Sequence, residues 1–181
     1  FMKKYYRYKP YTIWDEKESA MVYYGITFFK GLKLEDVSVL SFDIEADGLV
    51  EHNKSEVYLI TNTFTKQCET VKKHFRVDHY KNAGEMIDDW CKWVVEQDPT
   101  IINGHNIFGY DLRYLNHVAK LNNTSLKLGK DSREIEFKNK TSEYRVDGNQ
   151  RWKYNRANIY GRQIVDGIFL SVKYDIGRNY P

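Results

Sequence analysis

The chain has 181 residues, of which 41% are hydrophobic and 29% are charged, with only 11 glycines and 3 prolines. This composition excludes a collagen-like, low-complexity or largely disordered chain, and the length suits one domain with a short appendage. No apolar run approaches the roughly 18 residues that a membrane span requires, so we expect a soluble, intracellular protein without a membrane partner. Cys68 and Cys91 are isolated, which indicates neither a disulfide framework nor a zinc site.

The net charge of +3 conceals an uneven distribution along the chain. Residues 41–115 hold 13 acidic and 8 basic side chains, whereas residues 116–181 hold 7 acidic and 13 basic ones. An acidic segment followed by a basic one is typical of a metal site beside a groove for a polyanion. Ordinary scatter of surface charge produces the same pattern, so charge alone does not decide the function.

The predicted elements of the first half of the chain are mostly strands. Alternating apolar residues between Met21 and Phe29 predict short strands in an N-terminal appendage over residues 1–35. The stretch VSVLSFDIE, residues 37–45, is rich in β-branched and aromatic side chains and predicts a buried strand. Two more strands, over residues 56–64 and 70–77, are expected to follow it as a meander.

Helices and short strands alternate in the second half. Asn82 as N-cap, with Glu85 three residues later, predicts a helix that ends before Pro99. The remaining predicted elements, in order, are a short strand at 100–102, an amphipathic helix at 110–122, exposed hairpins or an insert over about 124–158, a strand at 163–165 and a helix to about 174. This order predicts an α/β domain over residues 36–181 with a mixed sheet flanked by helices.

Two acidic residues end the predicted buried strand. Because side chains alternate along a strand, the carboxylates of Asp43 and Glu45 share one face and Ile44 lies on the other. Neighbouring carboxylates repel each other unless a cation lies between them, and oxygen ligands select hard ions such as Mg²⁺ or Mn²⁺. A strand that ends in solvated acids is the alternative. A calcium-binding loop that starts at Asp43 is rejected, because its twelfth position holds Lys54 instead of Glu.

A second polar cluster lies at a predicted strand-to-helix junction, within the segment INGHNIFGYDLRYL of residues 102–115. Asp111 falls in the first turn of the helix, from where its carboxylate can project back towards the sheet. Asn106 can offer its amide to a substrate backbone. The junction therefore supplies a third acid and a polar contact for the same site.

These segments resemble the exonuclease motifs of family B DNA polymerases. FDIE, residues 42–45, resembles the first motif, DxE, and Asn106-x-x-x-Tyr110-Asp111 resembles the second, Nx₃(F/Y)D, in a context close to the family's GxNIxxFDxPYL. Arg113 stands where the family often has proline. YGRQIVD, residues 160–166, resembles the strand that precedes the third motif, and we expect Asp166 to orient this strand or cap the next helix. The resemblance covers about residues 37–175.

The resemblance implies an RNase H-like, DEDD-type 3′–5′ exonuclease domain that proofreads DNA. Asp43, Glu45 and Asp111 are then the catalytic residues and the ligands of two Mg²⁺ or Mn²⁺ ions, which hydrolyse the 3′-terminal phosphodiester of single-stranded DNA. Asn106 and Phe108 are expected to contact the single-stranded end. For Phe108, packing in the core is an equally good alternative.

The resemblance also implies an extended hairpin within residues 124–158 that helps to hold the separated primer end. This segment interleaves basic residues with aromatic ones such as Phe137 and Trp152, a composition suited to binding single strands. A solvated surface insert is the alternative.

The third motif of the family, Yx₃D, does not occur after residue 111. We therefore interpret the chain as a fragment of a longer polymerase, truncated before that motif, with a polymerase domain on its C-terminal side and primer-template DNA as partner. We expect the fragment alone to be nearly inactive, because a two-metal site that lacks one ligand loses both charge compensation and geometry. Two other hypotheses stay open: a catalytically silent, exonuclease-like module that binds DNA or scaffolds a polymerase, and a freestanding DEDD nuclease.

Overall fold

The computed structural model describes residues 13–26, 31–146 and 150–176. The chain divides into two compact units, Phe1–Leu34 and Glu35–Pro181. In the part that the structure describes, no helix is both long and apolar enough to cross a membrane.

The N-terminal unit contains helix α1, Glu16–Tyr24, where we expected short strands. The prediction of strands is wrong for residues 21–24, and its last residues, 27–29, lie outside the described part of the chain. Two caps explain the helix. The side chain of Asp15 accepts a hydrogen bond from the N–H of Glu18, and Gly25 ends the helix in the left-handed conformation. These caps outweigh the strand preference of the apolar alternation.

The second unit is built on a mixed five-stranded sheet in the order β3-β2-β1-β4-β7. The strands are β1 (Val39–Ala46), β2 (Val57–Lys66), β3 (Glu69–Arg76), β4 (Ile101–Gly104) and β7 (Gln163–Asp166). Strands β1 to β3 form the expected antiparallel meander, whereas β1, β4 and β7 run parallel to one another. The predicted α/β class with a mixed sheet flanked by helices is confirmed.

Three helices accompany the sheet: α2 (Ala83–Gln97), α3 (Asp111–Leu121) and α4 (Gly167–Ile176). Short 3-10 turns lie at Leu34–Asp36 and Val77–His79. Helix α2 begins at the predicted cap, since the side chain of Asn82 accepts a hydrogen bond from the N–H of Glu85. Its fully buried Trp90 donates through Nε1 to Oδ1 of Asn62 on β2 at 2.9 Å, which anchors the helix to the sheet.

A separate two-stranded hairpin, β5 (Glu136–Val146) paired with β6 (Gln150–Asn158), occupies most of the predicted insert. The segment ahead of the hairpin does not form an exposed insert. Leu126 and Leu128 are fully buried and Ile135 nearly so. Residues 126–135 therefore belong partly to the core, because their few apolar side chains pack into it although the surrounding sequence is polar.

The parallel arrangement places the carboxyl ends of β1, β4 and β7 at one edge of the sheet. Glu45 lies near the end of β1, Gly104 ends β4 and Asp166 ends β7. In open α/β sheets, this edge is where ligands bind. Of the predicted site residues, Asp43 and Glu45 lie on β1, and the other three lie in the loop after β4 or at the start of α3.

Candidate active site

The two acids of β1 have the predicted orientation. Asp43 and Glu45 are exposed, whereas Phe42 and Ile44, which precede each of them, are buried in the core. The pairing of β1 with β2 shifts register between Glu45 and Ala46, so the strand is irregular just where its acids end. Such bulges are frequent next to active sites, where they redirect side chains.

The loop between β4 and α3 holds Asn106 in the left-handed conformation, with φ of 61°. Its carbonyl accepts hydrogen bonds from the N–H groups of Gly109 at 3.0 Å and Tyr110 at 2.9 Å. The loop also lies very close to β1, because a Cβ atom added to Gly104 would be 2.8 Å from the carbonyl oxygen of Phe42 and would collide with Cγ2 of Ile107. Glycine at position 104 therefore permits the second motif to pack against the first.

Asp166 fixes this loop from the neighbouring strand. Its Oδ1 accepts from the N–H of Asn106 at 2.7 Å, and its Oδ2 accepts from the N–H of Phe108 at 3.1 Å. Oδ1 also accepts from the N–H of Ile168 at the start of α4. The buried carboxylate thus caps the helix, which is one of the two roles expected from the sequence, and it also positions the loop. The additional bonds to the second motif were not foreseen.

Asp111 is the buried acid of the site, with 2% of its surface exposed. Burial raises its pKa to about 7, the nearby charge of Asp43 and that of Asp166 add to the rise, and backbone N–H groups, including that of Ile44, oppose it. Its Oδ1 has no hydrogen-bond partner among the described residues. The second-motif acid therefore lies against β1 at Ile44, the residue between the two acids of the first motif.

Asp43, Glu45 and Asp111 share the same edge of the sheet, but they do not form a preformed metal cage. Among the described residues, no three Asp, Glu, His or Cys side chains converge closely enough to hold one ion. The chemistry of the donors nevertheless fits a hard cation, because all three are carboxylates and the buried Oδ1 of Asp111 is unpartnered within that part of the chain. A bound divalent ion would satisfy that oxygen and reduce the repulsion with Asp43.

An aromatic cavity of about 160 Å³ lies between the second motif and the hairpin, and none of the three acids lines it. Asn106 and Phe108 both line it, as do Tyr154 and Trp152 of β6 and Phe169 of α4. The ring of Phe108 lies 5.3 Å from that of Tyr154, and it is 7% exposed. Phe108 therefore packs mainly in an aromatic cluster, which is the alternative that the sequence left open, and it also lines the cavity. Its contact with a single-stranded end stays a prediction.

Two tyrosines of the second-motif segment, to which no role was assigned from the sequence, hold the loop after β1. The hydroxyl of Tyr110 donates to the carbonyl of Gly48 at 2.7 Å, and the hydroxyl of Tyr114 donates to Oδ1 of Asp47. Burial and the Asp47 contact raise the pKa of Tyr114 to about 12, and the hydrogen bond lowers the pKa of Asp47. The signal was present in the sequence, since both tyrosines lie within three residues of Asp111.

Arg162 is a second residue whose importance the sequence did not reveal. Its side chain is fully buried, and Nη1 donates at 2.7 Å both to Oδ1 of Asp98 and to the carbonyl of Pro99. Its Nε donates to the carbonyl of Leu128 at 2.9 Å. Arg162 thus ties the start of β7 to the end of α2 and to the buried segment before the hairpin.

Comparisons with known proteins agree with the geometry. A family model described as the exonuclease domain of DNA polymerase family B matches residues 22–174. The chain is 30% identical over 96 residues to the DNA polymerase delta catalytic subunit of Dictyostelium discoideum, in a match that covers 42% of this chain and 9% of that protein. It is 29% identical over 94 residues to DNA polymerase II of Escherichia coli, covering 52% of this chain and 11% of that protein.

The fold also resembles a solved polymerase. The structure of the family B DNA polymerase from Pyrobaculum calidifontis superposes with a TM-score of 0.57 at 20% identity, covering 79% of this chain and 16% of that one. At this identity the similarity concerns the fold alone. The matched segments span only about a tenth of the curated relatives, so those proteins contain much more than the region compared.

Proposed function

The chain belongs to the exonuclease-domain family of family B DNA polymerases, and we propose that it removes nucleotides from the 3′ end of single-stranded DNA with the help of two Mg²⁺ or Mn²⁺ ions. One observation carries the proposal: the buried Asp111 carboxylate, whose Oδ1 has no partner among the described residues, lies against the backbone of the strand that presents Asp43 and Glu45. A buried carboxylate that repels a neighbouring acid is costly without a cation.

The residues of the chain then have distinct tasks. Asp43, Glu45 and Asp111 supply the oxygen ligands, and bound divalent ions would lower the pKa of an attacking water and stabilise the leaving 3′ oxygen. Asn106, whose backbone is fixed by Asp166, lines the aromatic cavity and offers its amide to the substrate there. Phe108 and the hairpin rings provide flat surfaces for the terminal bases.

The hydrolytic test uses the protein expressed from the whole reading frame that contains this chain, with a 5′-labelled single-stranded oligonucleotide and Mn²⁺. We expect stepwise shortening from the 3′ end, abolished by EDTA. Asp43→Asn and Asp111→Asn should each reduce the rate by more than about 100-fold, because each removes a charged metal ligand. Glu96→Gln is the matched control, since Glu96 is an exposed acid on α2.

A catalytically silent DNA-binding module is the second candidate. One observation favours it: the described carboxylates do not converge closely enough to hold one ion. This function predicts that the parent protein binds single-stranded DNA without shortening it, and that the Asp43/Asp111 double variant binds equally well. Shortening by the parent that disappears in Asp43→Asn rules it out.

The relatives are named as DNA polymerases, which motivates a further part of the proposal. We propose that the exonuclease unit works on primer-template DNA together with a polymerase domain of the same protein. A reading frame with no polymerase motifs downstream, combined with 3′–5′ cleavage, would instead identify a freestanding nuclease.

A further inference from the structure

A second cavity, which none of the three acids lines, lies between α3 and β5, the first strand of the hairpin. Its volume is about 380 Å³. Four of its lining residues follow one another at positions i, i+3, i+4 and i+7 of α3, so they form a single stripe on the helix surface. We call this cavity the basic groove; its main lining residues are Arg113, Asn116, His117 and Lys120 of α3 with Phe137 and Lys138 of β5.

The groove carries an excess of positive charge. Arg113, Lys120 and Lys138 contribute three cations to its lining, and Glu51 is its single acid among the described residues. Lys138 is paired with Glu136 at 2.7 Å, so the excess rests on Arg113 and Lys120. The Arg113 guanidinium lies 3.4 Å from Glu51, yet 45% of its side chain stays exposed. Within the described part of the chain, Lys120 forms no ion pair. The groove therefore presents charge that its own acid does not neutralise.

The uncharged lining suits the same ligand. Asn116, Asn139 and Asn155 add amide groups, and Phe137 is the aromatic side chain of this lining. Cations and amides are the groups that contact phosphate and sugar oxygens in nucleic-acid complexes. The aromatic cavity differs mainly in its rings, because four aromatic side chains line it. The basic groove therefore suits the sugar-phosphate backbone of a nucleic acid, whereas the aromatic cavity suits its bases.

The two cavities adjoin each other. Arg113 and Asn155 line both of them, so a strand that leaves the aromatic cavity reaches the basic groove directly. Arg113 is exposed, whereas Asp111, two residues earlier on α3, is buried, so the two side chains lie on different faces of the helix.

We propose that the basic groove binds the phosphate backbone of single-stranded DNA on the 5′ side of the bases held in the aromatic cavity, with Arg113 and Lys120 as phosphate contacts. This inference rests on the proposed function, because the direction of the DNA strand follows from placing its 3′ end at the acids. It extends the site from the terminal nucleotides to those that precede them.

The test compares the binding of short and long oligothymidylates, dT3 and dT10, in EDTA so that no cleavage occurs. The Arg113→Gln/Lys120→Gln double variant should weaken dT10 binding by roughly 10-fold and reduce the slope of log affinity against log salt by about 1.4, at about 0.7 for each phosphate that the variant no longer neutralises. Binding of dT3 should weaken clearly less than that of dT10, since a trimer in the aromatic cavity reaches Arg113, which lines both cavities, but not Lys120. Lys92→Gln, at an exposed lysine of α2, is the matched control.

Several outcomes overturn the inference. These are equal dT10 affinity for the double variant and Lys92→Gln, an equal decrease in affinity for dT3 and dT10, or no length-dependent binding by the parent. A urea unfolding curve for each variant shows whether the fold is intact. Failure of the proposed function gives a different result. If binding depends on length and needs Arg113 and Lys120, but no Mn²⁺-dependent cleavage occurs, the inference about the groove stands and the proposed nuclease activity is wrong.

Discussion

The carboxylate of Asp166 holds the N–H of Asn106 at 2.7 Å, across 60 residues of sequence. Its other oxygen holds the N–H of Phe108, so one buried side chain at the end of β7 fixes two backbone donors of the second motif. Since Asn106 and Phe108 line the aromatic cavity, Asp166 determines the shape of that cavity by holding the backbone of its walls.

Asp166→Asn should destabilise the protein and deform the aromatic cavity. Asparagine has the same shape, but its NH₂ group must face one of the two N–H donors, which leaves that donor unsatisfied. We expect a decrease of about 1–3 kcal/mol in the free energy of unfolding, measured by urea titration. Asp78→Asn is the control, because Asp78 is exposed and pairs with residues next to it in the sequence. Equal unfolding curves for the two variants would contradict the positioning role.

Asp111→Asn should stabilise the metal-free protein while it abolishes cleavage. At pH 8 the carboxyl is ionised, because its pKa of about 7 lies below that pH, and the charge is both buried and close to Asp43. A neutral amide removes this repulsion, so we expect an increase of about 1–2 kcal/mol in the free energy of unfolding by urea with EDTA present.

The Asp111→Asn variant also separates the effect of metal binding on stability from the effect of the substitution on the fold. Mn²⁺ should raise the melting temperature of the parent and leave that of Asp111→Asn unchanged, because ligand binding stabilises only the state that binds. Glu96→Gln should follow the parent in both conditions. If Asp111→Asn is less stable than the parent in EDTA, the ionised carboxylate of Asp111 stabilises the fold, which contradicts the prediction.

The regular elements could be predicted from local patterns. Period-2 alternation placed Asp43 and Glu45 on one face of β1, and the pair Asn82 and Glu85 located the start of α2. Both features depend on residues within a few positions of one another. The same is true of Asp111 in the first turn of α3.

The remaining features depend on distant contacts or on caps that compete with apolar patterns. Helix α1 was missed because its apolar residues alternate as in a strand, whereas the caps at Asp15 and Gly25 favour a helix. The burial of Leu128 and the role of Arg162 arise only when β7, α2 and the segment before the hairpin meet. No local spacing reveals that Asp166 bonds to Asn106. The positions of the three acids could therefore be predicted from the sequence, whereas the residues that support them could not.

Gly104→Ala tests the close packing of the two motifs. The added Cβ would lie 2.8 Å from the backbone oxygen of Phe42, which cannot rotate away, and would collide with Ile107. We expect a decrease of about 1–3 kcal/mol in the free energy of unfolding by urea, together with reduced cleavage, because the loop must move away from β1. Gly48→Ala is the control, since a Cβ there meets no described atom within 4 Å. A similar, small effect of both substitutions would contradict the packing argument.

Asp98→Asn tests the contact that joins α2 to β7. Burial raises the pKa of Asp98, but hydrogen bonds from Lys130 and Arg162 lower it more, so the net pKa lies below the usual carboxyl range. A lowered pKa means that the carboxylate stabilises the fold above its ordinary pKa and that this contribution is lost as the pH falls through the lowered value. Asparagine retains the left-handed conformation that residue 98 adopts at the end of α2.

The variant should therefore be less stable than the parent at pH 7, by about 1 kcal/mol, because Asp98 is half-exposed and solvent screens the pair. The difference between the urea midpoints of parent and variant should stay constant from pH 7 to about 5 and shrink below about 4. Lys130→Gln, which removes only the exposed partner of Asp98, should have almost no effect. A pH-independent difference for Asp98→Asn would show that the charge on Asp98 does not stabilise the buried Arg162.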